Sequence, residues 1–259
     1  MKIPDHLFVG AQKILDVGGW FMPEPRATHV VDRMPWETRG AQLSLAPLPQ
    51  EHFSKATWFQ ADFLAPDFRL PFTDKSFDLV VCGQTIEDLA DPRSLLQEMQ
   101  RVGVRGVIEC PSRLTEQTKG MRDRESGLPG HPHHHWIVDS VAGSLLLYSK
   151  ADSDLRVEAR LLPLSFTEPL IESGRAAEVV VHEWQDEIDF RVVAGPECRE
   201  RAEEFVTSMH VPVFVRTIDR ALRFARRLRR RLRGLPPEEF SWWAKIVEVS
   251  RPYSSIDLK

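Results

Sequence analysis

The sequence is poor in cysteine, has no long apolar run and holds no phosphate-binding glycine pattern, and each lack removes a class of protein. Three cysteines in 259 residues, Cys82, Cys110 and Cys198, are too few and too scattered for a disulfide framework or a zinc ribbon. The best apolar stretch, residues 141–148, falls far below the roughly 20 residues that a membrane-spanning helix needs. Residues 1–10 include Pro4, Asp5 and His6 and lack the apolar core of a signal peptide, so a reducing, cytoplasmic setting is expected. No Gly-x-x-x-x-Gly-Lys-Ser/Thr stretch occurs, which argues against a nucleotide triphosphatase. Internal repeats and low-complexity tracts are missing too. What remains is an ordinary globular composition, 42% hydrophobic and 28% charged, on a chain long enough to bury a core without staples.

The first half predicts strands alternating with helices or loops, the pattern of an α/β fold with a parallel sheet. Lys13-Ile-Leu-Asp-Val17 is a short apolar run stopped by Gly18-Gly19. Thr28-His-Val-Val-Asp32 and Thr57-Trp-Phe-Gln-Ala61 are two more, each with an acid, Asp32 or Asp62, at its carboxyl end. Phe77-Asp-Leu-Val-Val-Cys82 is nearly continuous in apolar residues, as suits a strand covered on both faces. Asp91-Pro92 predicts a helix start, Leu95, Leu96 and Met99 carry its apolar face to about Arg101, and Gly106-Val-Ile-Glu-Cys110 is a fifth strand. Residues 112–132 are polar and predict a loop or lid. Strands are expected over 136–150, as a hairpin around Gly143, and over 155–164; 177–193 alternates loosely. Helices are expected over 197–209 and 213–233.

In an open α/β sheet ligands bind outside the carboxyl ends of the strands. Asp16-Val-Gly18-Gly19, Asp32, Asp62 and Cys82-Gly-Gln84 all fall there. An acid after the second strand is placed to accept from ribose hydroxyls, and one after the third from an exocyclic amine such as that of adenine. Glycines after the first strand allow close backbone approach. The first turn, however, lacks Gly-x-Gly-x-x-Gly, and Trp20, Phe21, Met22, Pro23 and Pro25 make a poor helix, so no helix N-terminus awaits a pyrophosphate. A nucleoside without phosphates is the remaining ligand, and S-adenosylmethionine fits.

The segment Leu70-Pro-Phe-Thr-Asp-Lys-Ser-Phe-Asp-Leu-Val-Val-Cys-Gly-Gln-Thr-Ile-Glu-Asp-Leu-Ala-Asp-Pro92, followed by Glu98, Arg101 and Val102, closely resembles class I S-adenosylmethionine-dependent methyltransferases of the type 11 group. Ile14-Leu-Asp-Val-Gly-Gly19 and Pro25-Arg-Ala-Thr-His-Val-Val-Asp-Arg33 resemble a bacterial subgroup with a shortened first glycine loop, as do residues 101–112 and His134-His-Trp136. The resemblance covers residues 12 to about 150. It implies a Rossmann-like, doubly wound, mostly parallel sheet with C-terminal strand and helix additions. A cofactor-binding core over 1–150 and an extension over 151–259 are expected. By the same resemblance Asp16 and Gly18 line the methionine end, Asp32 holds the ribose, Asp62 with the Phe63 backbone takes the adenine and Gln84 borders the methyl group, with Gly19 and Arg33 also among the cofactor-binding residues. Two departures stand out: the first loop is short, and Asp88 occupies the position of the usual His after the strand-four Glu.

The implied function is methyl transfer to a small-molecule, glycan or lipid-linked acceptor; the alternative is a non-catalytic cofactor-binding or membrane-surface adaptor. An oxygen or nitrogen nucleophile benefits from a base, which directs attention to His131-Pro-His-His-His135 and to His134 or His135 within it. Adjacent residues of an extended segment point to opposite faces, so no metal site is expected there. Glu183, Asp186, Glu187 and Asp189 form an acidic group, read as a solvated strand face.

The net charge of −4 hides an asymmetry: residues 213–233 carry nine arginines and the single acid Asp219. Phe214, Ile218, Ala221, Leu222, Ala225, Leu228 and Leu232 share one side of this helix, with arginines from Arg216 to Arg233 on the other. Such a helix suits a solvated face, an acidic surface or an anionic membrane, the last leaving the protein peripheral to the bilayer. No aromatic platforms alternate with the arginines, which argues against nucleic acid.

Overall fold

A computed structural model of the chain describes residues 3–39, 50–122, 124 and 128–232. Arg233, Pro236-Pro237 and Trp242-Trp243 therefore lie outside the described residues. In chain order the strands and helices are β1 (Ile14–Val17), β2 (His29–Asp32), β3 (Trp58–Gln60), β4 (Leu79–Gly83), α1 (Arg93–Val102) and β5 (Arg105–Pro111), followed by α2 (Arg113–Glu116) and β6 (Thr118–Lys119). Then come β7 (Trp136–Val141), β8 (Ser144–Ser149), β9 (Leu162–Pro163), α3 (Leu164–Glu172), β10 (Val179–Gln185), β11 (Phe190–Val193), α4 (Pro196–Ser208) and α5 (Val213–Leu232). Two compact units result. The first takes the described residues of Met1–Cys110 with Val181–Asp189; the second takes those of Pro111–Val180 and Phe190–Phe240. The units part at Cys110, whereas the sequence reading divides the chain at 150.

The first unit is built on a six-stranded sheet in the order β10-β5-β4-β1-β2-β3. Strands β1 to β5 pair in parallel, so the doubly wound, mostly parallel α/β architecture is present. The four residues of β1 are all buried, as are Leu79, Val80, Val81 and Cys82 of β4, which explains why these strands are continuous apolar runs. Leu95, Leu96, Met99 and Val102 put the buried face of α1 inward. The helix begins at Arg93, later than Asp91-Pro92 suggests, but the Asp91 carboxylate still accepts the Arg93 N–H at 3.1 Å. Between β1 and β2 there is no helix, as the prolines predict; turns cross over instead.

The Leu-Pro-Phe entry to β4 is held by charge. Glu98 accepts the Leu70 N–H at 2.7 Å, while Arg101 donates to the Leu70 and Phe72 carbonyls and to Asp74. Arg101 also donates to both oxygens of Glu98. The spacing of Glu98 and Arg101, one helical turn apart, thus makes a clamp that fixes the turn leading into β4. At the other side of the sheet Trp184 of β10 lies over Gly103 and Gly106, where an added Cβ would come within 3.0 Å and 2.5 Å of its ring.

The second unit pairs β7 with β8 as an antiparallel hairpin turning at Ala142-Gly143, and β11 joins β8 in parallel. Ile137, Tyr148, Leu155, Leu161, Val193, Cys198 and Ala202 form its core. Two expectations fail here. Residues 155–164 are not a strand: Asp154 has a φ of +45°, a 3-10 turn spans Glu158–Arg160, and only β9 pairs, with β6. Local N–H to C=O bonds from Val157 to Asp154 and from Leu161 to Glu158 fold the segment back on itself. Nor is 112–132 a loop throughout, since Arg113 to Thr118 are buried. Their polar groups are matched: Gln117 donates to the carbonyls of Arg160 and Ala202, and Arg113 to Asp139 and the Arg201 carbonyl.

Candidate functional site

Because β1 to β4 run parallel, their carboxyl ends share one edge of the sheet, and Gly18, Gly19, Asp32, Arg33, Asp62, Phe63 and Gln84 are brought to it, with Asp16 inside β1. The short first loop is fastened at several points. The Gly18 N–H donates to the Val31 carbonyl at 2.8 Å, and Asp16 accepts the Glu24 N–H at 2.6 Å. Gly18 has a φ of +80°, and a Cβ there would fall 1.9 Å from the Thr85 Oγ1, so only glycine fits between the loops after β1 and β4. Thr85 is the part of this contact that the sequence did not single out.

Asp32 is buried, and its two oxygens accept the backbone N–H groups of Trp20 at 3.0 Å and Met34 at 2.7 Å. A carboxylate keeps lone pairs after two such bonds, so the acid is oriented rather than consumed. Burial pushes Asp32 up to about 6, against the pull of its backbone donors, and pushes Asp16 up to about 7, with the Glu24 N–H opposing. Asp62 is exposed and accepts the Leu64 N–H, while Phe63 is buried against the edge of Phe68. Gln84 is exposed with a φ of +52°, its N–H held by the Glu109 carbonyl. The set of an oriented acid, an exposed acid, an apolar wall and a glycine-lined turn is chemically suited to a nucleoside. Cys82 and Cys110 are buried with thiols raised well above their ordinary value by burial, as core residues should be.

Residues 33–108 match the family model described as a methyltransferase domain. This segment is a methyltransferase domain. Its class is S-adenosylmethionine-dependent, and S-adenosylmethionine is its cofactor. The match begins at Arg33, after the short loop, so Asp62, Phe63 and Gln84 lie within it, while Asp16, Gly18, Gly19 and Asp32 rest on their own geometry. No curated protein matches the chain. Among solved structures, an S-adenosylmethionine-dependent methyltransferase from Aquifex aeolicus is similar at 17% identity over 39% of this chain and 57% of its own, with a TM-score of 0.30. One from Mesorhizobium loti is similar at 15% identity over 79% and 76%, TM-score 0.34, and the YcgJ protein of Bacillus subtilis at 21% over 39% and 44%, TM-score 0.27. The chain spans about half the length of the Aquifex and YcgJ chains.

The histidine run belongs to the second unit, and two residues outside it give it order. Glu116, buried in α2, accepts from His131 Nδ1 at 3.0 Å and from His134 Nδ1 at 2.8 Å, and its other oxygen takes the Lys150 ammonium. Arg122 donates to His131 Nε2, which must therefore be the unprotonated nitrogen, so Nδ1 carries the proton that Glu116 accepts. Burial opposes the charge on Glu116, yet the two imidazole donors and Lys150 hold the carboxyl well below the usual range. His134 is pushed down to about 4 by burial, against Glu116, and His133 down to about 3 by burial and the neighbouring imidazoles. His135 is exposed, and its carbonyl accepts the Lys150 N–H. Glu116, His131 and His134 offer three ligand atoms within 4.8 Å of one another, but with Lys150 and Arg122 bonded to the same groups, hydrogen bonding accounts for the arrangement. Neither Glu116 nor Lys150 was legible as a partner: each sits alone in a polar stretch with no periodic signal.

Proposed function

We propose that the whole chain transfers a methyl group from S-adenosylmethionine to a small-molecule, glycan or lipid-linked acceptor. The observation that carries the reading is the common edge formed by the loops after β1 to β4, where Asp32 and Asp62 stand at successive strand ends. Asp62 would accept from the adenine amine beside Phe63, Asp32 from the ribose hydroxyls, and the turn at Gly18-Gly19 would admit the methionine end. The cofactor supplies a methyl carbon already activated by a sulfonium. When bound, it would give that methyl to the acceptor's lone pair and keep the C–S bonding pair on sulfur as S-adenosylhomocysteine, while the residues named above would hold it in place.

We further propose His134, in the second unit, as the candidate general base. Glu116 accepts from Nδ1 and orients the ring, and the depressed pKa keeps it neutral at physiological pH. Glu116 acts through His134 and is a positioning residue.

S-adenosylhomocysteine should raise the melting temperature of the full chain, and Asp62→Ala, an exposed site whose loss leaves the fold intact, should abolish the rise. An unchanged melting temperature at millimolar ligand sinks the proposal. Labelled cofactor incubated with fractionated cell extract should then place label in the small-molecule, glycan or lipid fraction; label in protein or nucleic acid alone overturns the acceptor class. His134→Asn should keep the thermal shift and lose transfer, with rates of the parent enzyme falling only as pH drops toward about 4.

A further inference from the structure

Helix α5 is amphipathic, yet it meets the second unit with the wrong face. Val215 and Arg216 are half-buried and Asp219 is buried, and the Arg216 guanidinium donates to the Leu161 carbonyl at 3.1 Å. Arg216 and Asp219 lie on the side away from the apolar stripe, and Val215 stands at its border. The stripe itself faces outward: Phe214 is 66% exposed, Ile218 51% and Leu222 47%, with Leu228 and Leu232 continuing the row and Phe224 exposed beside it. In a helix that only covers a core this distribution is reversed. Exposed Arg220 and Arg231 lie to one side of the stripe and exposed Arg229 stands between Ile218 and Leu222 around the helix, within a segment carrying nine arginines. No helix among the described residues is long and apolar enough to cross a membrane.

We propose that α5 docks the protein on an anionic lipid surface, lying in the plane of the interface with Phe214, Ile218, Leu222, Leu228 and Leu232 among the acyl chains. The arginine stems would run along the boundary and place their guanidinium groups at the phosphates. The charge of the helix selects this occupant. A nucleic acid would use the arginines and leave the apolar row in water, and a second copy of the chain would bring like charges together. A bilayer with acidic headgroups satisfies both faces at once. The inference does not depend on methyl transfer.

The test is flotation of the full chain with vesicles of phosphatidylcholine containing about 30% phosphatidylglycerol, beside vesicles of phosphatidylcholine alone. Binding to the acidic vesicles only, weakened by high salt, is expected. Arg220→Gln/Arg229→Gln/Arg231→Gln should lower the partition coefficient about a hundredfold, at a factor of about five for each arginine. Ile218→Ser/Leu222→Ser/Leu228→Ser should abolish binding. Both variants change exposed side chains, so an unchanged melting temperature shows that the fold survives. No binding of the parent to acidic vesicles, equal binding to neutral ones, or an apolar variant that binds as before overturns the proposal. So does a parent dimer that the apolar variant turns into a monomer without any vesicle binding, since the face would then belong to a second copy.

Discussion

Asp16 and Asp32 in the first unit and Glu116 in the second are equally buried carboxyl groups with opposite fates. Asp16 and Asp32 receive backbone N–H groups, and burial carries them up to about 7 and about 6. Glu116 receives two imidazoles and a lysine and is held well below the usual range. Depth alone therefore does not decide a buried acid's charge. Backbone donors leave the desolvation cost in control at Asp16 and Asp32, whereas at Glu116 two imidazole hydrogen bonds, joined by the Lys150 ammonium, override it. The first arrangement gives carboxyls that titrate near the working pH, at the edge where a cofactor would lie. The second gives a permanent anion that fixes the imidazoles around it.

The largest effect that would break this comparison is removal of the anion. Glu116→Ala leaves the half-buried Lys150 ammonium with the His131 carbonyl but no counter-charge, and should cost about 3–5 kcal/mol in urea unfolding; a loss below about 1 kcal/mol would mean that the network is not the support described. The pH dependence of stability should separate the two units next. Asp16 and Asp32 hold their protons more tightly when folded, so their contribution is complete below about pH 4 and fades as pH rises toward 6 and 7, at about 1.4 kcal/mol per pH unit for each group titrating. Glu116 has the opposite sign: its contribution is present above its ordinary value of 4.5 and is lost as pH falls below it. Asp16→Asn should flatten the upper limb and leave the lower one in place. A smaller effect tests the loops. Gly18→Ala should cost about 1–3 kcal/mol and remove cofactor binding, because a positive φ and the Thr85 side chain both oppose it. Gly143→Ala has a similar φ of +86° but meets no atom within 4 Å, and should cost about 1 kcal/mol, read from the melting temperature.

The same contrast explains which parts of the molecule the sequence makes legible. Strands β1 and β4 announce themselves because they are buried and nearly every residue is apolar, and α1 because its apolar positions recur every three to four residues. The acids at the strand ends follow from that order, so the edge they share is legible in the sequence. The segment 113–118 was not, because its burial depends on partners far along the chain: Thr115 bonds the Glu178 carbonyl, Gln117 those of Arg160 and Ala202. Local polarity reads such residues as solvated, and only the tertiary structure supplies the donors and acceptors that let them go inside. For α5 the period was plain, but which way the stripe points goes with Arg216 and Asp219 being the residues turned inward, and no hydrophobic pattern carries that information.

Strand β10 sets an order of birth for the protein. It is the neighbour of β5 in the sheet, yet β5 ends at Pro111 and β10 does not begin until Val179. A chain emerging from the ribosome must therefore make the whole stretch between them while the flank of β5 is still an open edge, with Gly103 and Gly106 uncovered until Trp184 arrives. A fragment stopped anywhere before Gln185, including one ending at 150, is left with a template for pairing with other chains. Once β10 is made it takes over from β5 as the end strand on that side of the sheet.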